Sequence, residues 1–111
     1  MVRHVLRLLT MLMVLGIPAF ATAQEVGDAG KGLVYANKYC AECHAVLRGE
    51  STSPRPKVLT FEAIAQTPGM TGTALAVWFR TPHPTMPNFI IPPADRDNLI
   101  AYILSLQNLQ L

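Results

Sequence analysis

The chain has 111 residues, with nine Lys and Arg against seven Asp and Glu, and only two cysteines. That length allows one small domain, and two cysteines three positions apart exclude a multi-disulfide framework. The slight basic excess sits in the first residues, so it gives no footprint for nucleic acid or for an anionic membrane as partner.

Arg3, His4 and Arg7 open the chain, and a largely apolar run follows from Leu8 to Ile17 until Pro18 breaks it. Ala19-Phe20-Ala21 and Ala21-Thr22-Ala23 both present small residues two apart. A basic start, a short apolar centre and a small-residue exit are the order of a secretory signal peptide. The reading is that residues 1–23 are removed, by cleavage after Ala23 or after Ala21. The apolar run falls short of the roughly 20 residues a bilayer span needs, which argues against a retained anchor. Cleavage leaves residues 24–111 as the working domain, with seven basic and seven acidic side chains. The expected setting is the periplasm, without stable membrane association. A chain of this size buries only about 60–70% of its unfolded surface, so its core is thin. A disulfide between residues three apart closes too short a loop to compensate. A large apolar cofactor would.

Along this domain the elements read as follows. Asp28 is an N-cap for a helix from about Ala29 to Tyr39, with Leu33, Ala36 and Cys40 on one face. Val46 to Leu59 is rich in Gly, Ser and Thr and holds Pro54 and Pro56, which marks an extended loop. Thr60 precedes a short helix, Phe61 to Ala65, that Pro68-Gly69 stops. A further helix starts near Thr71 or Thr73 and carries Leu75, Val77, Trp78 and Phe79. Thr81 to Pro93 contains five prolines, through which neither a helix nor a central strand runs. Pro92-Pro93-Ala94-Asp95 opens the last helix, with Leu99, Tyr102, Ile103 and Leu106 as its apolar stripe. The expected class is all-α: about four short helices wrapped around one cofactor.

Tyr39-Cys40-Ala41-Glu42-Cys43-His44 carries the chemistry. Residues three apart in a helical turn project to one side, so Cys40 and Cys43 would face one object with His44 beside them. Two thioethers to the vinyl edge of a haem and an imidazole to its iron need this arrangement, and Cys-x-x-Cys-His is the attachment signature for haem c. A dithiol redox pair is expected beside a βαβ unit, and no strand pattern is present here. Structural zinc takes four protein ligands, against Cys40, Cys43, His44 and His83 available, two of them adjacent in sequence. A second axial ligand is offered by Met86, 42 residues after His44 and set between Pro84 and Pro87. A thioether on so restricted a backbone loses little entropy when it binds. Met70, in Pro-Gly-Met-Thr-Gly, reads as part of a turn. His83 could also ligate, against the plainer reading of a solvated loop histidine.

The order of an Asp28-Ala-Gly-Lys-Gly helix, Cys40-Ala-Glu-Cys-His44, a proline-containing loop, Pro-Thr-Met86-Pro and a terminal Asn-Leu-Ile-Ala-Tyr-Ile-Leu-Ser-Leu helix resembles a small bacterial class I cytochrome c. The resemblance covers roughly residues 27–106. It implies that the first and last helices cross closely, with Gly32 and Ala36 as the flat place and Tyr102 across it. It implies that a loop-proline carbonyl, of Pro54 or of Pro56, holds the second nitrogen of His44. For Trp78 it leaves a contact to a haem propionate or plain core packing. Leu33, Leu59, Phe61, Leu75, Phe79, Phe89, Leu99 and Ile103 are the wall residues it suggests.

The implied function is electron transfer through one covalent haem c, held by Cys40 and Cys43 and ligated by His44 and Met86, with no catalytic residue. Redox proteins would be donor and acceptor. A second reading makes the domain the cytochrome subunit of a larger periplasmic oxidoreductase. A third, ligand sensing or peroxidase activity, would need Met86 to be labile.

Overall fold

The computed structural model describes residues 26–108, together with Gly16 and Pro18. The expected leader, residues 1–23, therefore lies almost wholly outside the described residues. Among the described residues the regular structure is four helices and no strand: α1 Ala29–Tyr39, α2 Phe61–Ala65, α3 Gly72–Trp78 and α4 Pro93–Ser105. None of these helices is long and apolar enough to cross a membrane.

Each helix starts where local chemistry satisfies its free N–H groups. The Asp28 carboxylate accepts from the Lys31 amide at 2.9 Å. The Thr60 hydroxyl accepts from the Ala63 amide at 3.0 Å, and Thr71 from that of Ala74 at 3.1 Å. Such caps contribute about 1 kcal/mol each. The choice between Thr71 and Thr73 thus falls to Thr71, and α3 stops one residue short of Phe79, which is its C-cap. In α4 the first helical position is Pro93, whose missing N–H costs nothing there. The last turn of α4 would leave bare carbonyls. Arg48 donates to the Ser105 carbonyl, and Gln66 Nε2 donates to that of Leu106 at 2.9 Å.

The core is the crossing of α1 over α4, with α2 and α3 packed against α4. Ala36, Leu99 and Ile103 are almost wholly buried, joined by Phe61, Ala65, Leu75 and Leu106. At the crossing the backbones nearly touch. A Cβ on Gly32 would lie 2.0 Å from the Asn98 carbonyl oxygen and 2.7 Å from the Tyr102 Cβ. Gly27, at φ +117°, passes equally close to the Asp97 carbonyl. The Asn98 side chain accepts from the Asp28 amide at 2.7 Å, which pins the start of α1 to α4. From α4, Tyr102 reaches over to donate its hydroxyl to the Val46 carbonyl. Burial pushes that phenol above its usual pKa, in keeping with a group that stays a donor.

Gly32→Ala places a methyl group where the Asn98 backbone stands, and no side-chain rotation relieves it. We expect a loss of at least about 3 kcal/mol, read as a lowered denaturation midpoint of the haem-containing protein with the slope unchanged.

Candidate functional site

The helical path of α1 continues into the cysteine motif. Cys40 N bonds to the Ala36 carbonyl at 2.8 Å, and His44 N to the Cys40 carbonyl at 2.9 Å. Cys40 and His44 therefore stand one turn apart at the end of α1, with Cys43 between them. Both cysteines are free and partly buried. Burial, and secondarily the neighbouring Cys43, pushes the Cys40 thiol up to about 11. Redox-active dithiols depend on a thiol pKa lowered toward neutrality, so the environment of Cys40 opposes a dithiol couple. Among the described residues no three His, Cys, Asp or Glu side chains converge as a bound metal ion would require.

The loop after the motif folds back and is stitched to it. Ala45 N donates to the buried Ser53 hydroxyl at 3.0 Å, Arg55 N to the Cys43 carbonyl at 3.4 Å, and Phe61 N to the Ala45 carbonyl at 2.9 Å. These bonds bring the Leu59 carbonyl to 2.7 Å from His44 Nδ1. A carbonyl only accepts, so Nδ1 carries the hydrogen and Nε2 of the neutral ring is left with a free lone pair. A second bond of this kind fixes the tautomer and orientation of a metal-binding imidazole. The acceptor was expected to be Pro54 or Pro56. The loop instead places the Leu59 carbonyl at the ring. The imidazole also packs on Phe61, centroids 5.3 Å apart, and Phe61 in turn lies 6.4 Å from Tyr102.

Met70 and Met86 occupy different surroundings. Met70 packs against the apolar core, and its carbonyl accepts from Gln107 Nε2 at 3.1 Å. Met86 lines an open cleft of about 320 Å³ with Trp78, Phe79, His83, Phe89, Ile91 and Arg96. The residue before it, Thr85, is held at φ 70°. For a β-branched side chain that conformation costs on the order of 1–3 kcal/mol. Trp78 is half exposed and meets His83 edge-on at 5.5 Å, so it covers the Met86 segment and takes no place in the core.

These surroundings fit a haem. Of the expected wall, Phe61, Leu75, Leu99 and Ile103 are buried and Leu33 and Phe79 pack on the core, but Leu59 and Phe89 are uncovered at 59% and 48%. Ile90, Val77 and Trp78 are likewise exposed. In the cleft beside Met86, the buried Nε of Arg96 makes no hydrogen bond and has the Asp97 carboxylate 4.0 Å away. Cys40 and Cys43 would hold the group, and His44 offers a bare Nε2.

A four-helix domain with an imidazole oriented beside two unpaired cysteines and an apolar surface left open around them is a haem-attachment domain built for electron transfer. The chain belongs to the cytochrome c family: the family model described as Cytochrome c matches residues 27–107. It is 32% identical over 95 residues to a cytochrome c-552 of Bradyrhizobium diazoefficiens, covering 86% of this chain and 90% of that protein. No solved structure matches the chain. It is thus an electron-transfer protein and not an enzyme, with haem c as its covalent cofactor and redox proteins as its partners.

The sequence reading missed two features. The Leu59 carbonyl carries no residue-type signal. His83, read as a solvated loop histidine with ligation as the alternative, is partly buried, with Nε2 2.7 Å from Met86 Sδ.

Because the core is thin and apolar side chains are left for the cofactor to cover, attachment and folding should be coupled. In the double variant Cys40→Ala, Cys43→Ala we expect the far-ultraviolet helix signal to fall well below that of the haem-bearing protein. The cooperative thermal transition should disappear with it.

Proposed function

We propose that the protein is a periplasmic electron carrier whose single haem c is bound by thioethers from Cys40 and Cys43 and ligated by His44 and Met86. The observation that carries the reading is the bond from His44 Nδ1 to the Leu59 carbonyl at 2.7 Å, which leaves Nε2 free and oriented. Met86 is favoured over Met70 because Met70 is engaged in the core while Met86 sits in the cleft among Trp78, His83 and Phe89.

When bound, the haem supplies a one-electron couple. The chain's part is to orient and exclude. Leu59 holds the His44 ring, and the stitched loop keeps that carbonyl in place. Leu59, Trp78 and Phe89 screen the centre from water, and thioether ligation in an apolar pocket raises the potential. With both axial positions filled, oxygen and peroxide find no open site. Partners would dock where the haem edge meets solvent, steered by local charge, since the mature chain is near neutral.

The basic start, short apolar centre and small-residue exit support export with removal of residues 1–23 and no stable membrane association afterwards. Sequencing of the exported protein should begin at Gln24, or at Thr22 for the earlier cut. An N-terminus at Met1 would overturn cleavage.

The ligand assignment is tested by spectra and potentiometry. Met86→Ala should abolish the far-red sulfur–iron band of the oxidised protein and lower the reduction potential. Met70→Ala should leave both unchanged. Retention of the band in Met86→Ala would refute the assignment.

A further inference from the structure

The end of α1 beside the cysteine turn carries an aromatic pair that haem attachment does not use. Tyr35 and Tyr39 stand one turn apart, with ring centroids 4.6 Å apart and planes tilted by 42°. Tyr35 is partly buried and packs on the core, as does Cys40. Burial first, then Asp95 of α4 and the Cys40 sulfur, push the Tyr35 phenol above its usual pKa. It therefore keeps its proton at neutral pH and lies within the field of the sulfur. Tyr39, the residue before Cys40, is 45% exposed. The Lys38 ammonium lies 4.9 Å from the centre of its ring, where the ring quadrupole attracts a cation. One turn back on this side Val34 is open to solvent. The helix holds Lys31 and Lys38 and no acid; its flanking acids, Asp28 and Glu42, lie outside it. The pair thus runs from the packed side of the attachment turn to solvent and ends in a cationic surface.

We propose that Tyr39, steadied by Tyr35 and flanked by Lys38, is the contact on which the redox partner seats and past which the electron moves to or from the haem on Cys40. The inference rests on the reading that Cys40 carries the haem. One electron leaves the ferrous iron and reduces the partner's oxidised centre; neither ring is oxidised and no proton moves. The two rings fill space that water would otherwise occupy between the Cys40 sulfur and a docked surface. A tyrosine suits such a contact, because it is a large, rigid surface with few torsions to freeze. Tyrosines are also enriched among the residues that carry most of the binding energy at interfaces. The kind of partner follows from the charge. To meet Tyr39 and Lys38 together it presents an apolar spot with a carboxylate at its rim. Such a pairing speeds encounter and fixes orientation more than it tightens the complex. In a mature chain with no net charge, that local pairing is what can orient the approach.

The test oxidises the ferrous haem-bearing protein with two small probes. One is tris(phenanthroline)cobalt(III), whose aromatic ligands can stack on a ring; the other is the anion ferricyanide. Rates are read by stopped flow for the wild type, Tyr39→Leu, Tyr39→Phe and Lys38→Gln. Tyr39→Leu should slow the cobalt probe about tenfold, the scale of truncating a central interface tyrosine, while Tyr39→Phe keeps the wild-type rate. Lys38→Gln should slow ferricyanide about threefold at low ionic strength and lose that difference in high salt. The reduction potential and the far-red band should stay unchanged in every variant. An undiminished cobalt rate in Tyr39→Leu, an equal loss in Tyr39→Phe, or a shifted potential in Tyr39→Leu would each overturn the contact. A ferricyanide rate indifferent to Lys38→Gln would overturn the acidic rim assigned to the partner. Haem that leaves the wild type on acid-acetone extraction would instead strike at the Cys40 attachment. Matching far-ultraviolet circular dichroism of the four proteins separates a lost contact from a disturbed fold.

Discussion

The structure depends on the crossing of α1 over α4 at Gly32. A helix running straight into Cys40 fixes where the cysteine turn lies, and its position is set by how closely it rests on α4. The contact between the Gly32 backbone and the Asn98 carbonyl leaves no room for a side chain. Asn98 adds a second hold through the Asp28 amide. The same face of α4 supplies Tyr102, whose hydroxyl reaches the Val46 carbonyl just beyond the motif. Two hydrogen bonds and one close backbone contact from one helix thus hold both sides of the attachment turn, and displacement at the crossing would be passed to Cys40 and His44 together.

What the crossing fixes for the turn, the loop from Ala45 to Phe61 fixes for the imidazole. Its stitches run from Ser53, Arg55 and Phe61 back to the motif, so the Leu59 carbonyl is positioned by backbone and by one buried hydroxyl. Pro54 and Pro56 restrict the path, and the ring's hydrogen bond goes to Leu59. This division explains how the domain does without the expected proline carbonyl. Any residue brings a carbonyl, and what matters is the loop geometry that delivers it.

That point also marks how far the sequence was legible. The helix starts at Asp28, Thr60 and Pro93 were readable, and the third to within Thr71 or Thr73, because capping residues act within four residues of themselves. The cysteine turn was readable because Cys-x-x-Cys-His is local chemistry. The Gly32 contact was legible through the family resemblance, since a glycine in a helix says only that something comes close. Leu59 as acceptor and His83 beside Met86 were not legible. Each depends on where a loop returns, which neither residue type nor periodicity encodes. Of the eight wall residues expected, only Leu59 and Phe89 are uncovered, as apolar side chains that meet a cofactor in place of the protein core would be.

The segment from Thr81 to Pro93 can then be understood by what its prolines do and what they leave free. Pro82, Pro84 and Pro87 fix φ at their own positions and restrict the residues just before them. They do not relieve Thr85, which stays in the left-handed region at φ 70°. A β-branched residue there persists only if its surroundings over-determine it. Those surroundings are the Thr81 carbonyl on His83, Trp78 against the same ring, and Met86 Sδ against its other nitrogen. Rigidity on either side of one strained residue concentrates any rearrangement into that residue. Under the proposed ligation the segment that carries Met86 is held by its own prolines and local contacts, while α1, α4 and the turn bearing His44 rest on the Gly32 crossing.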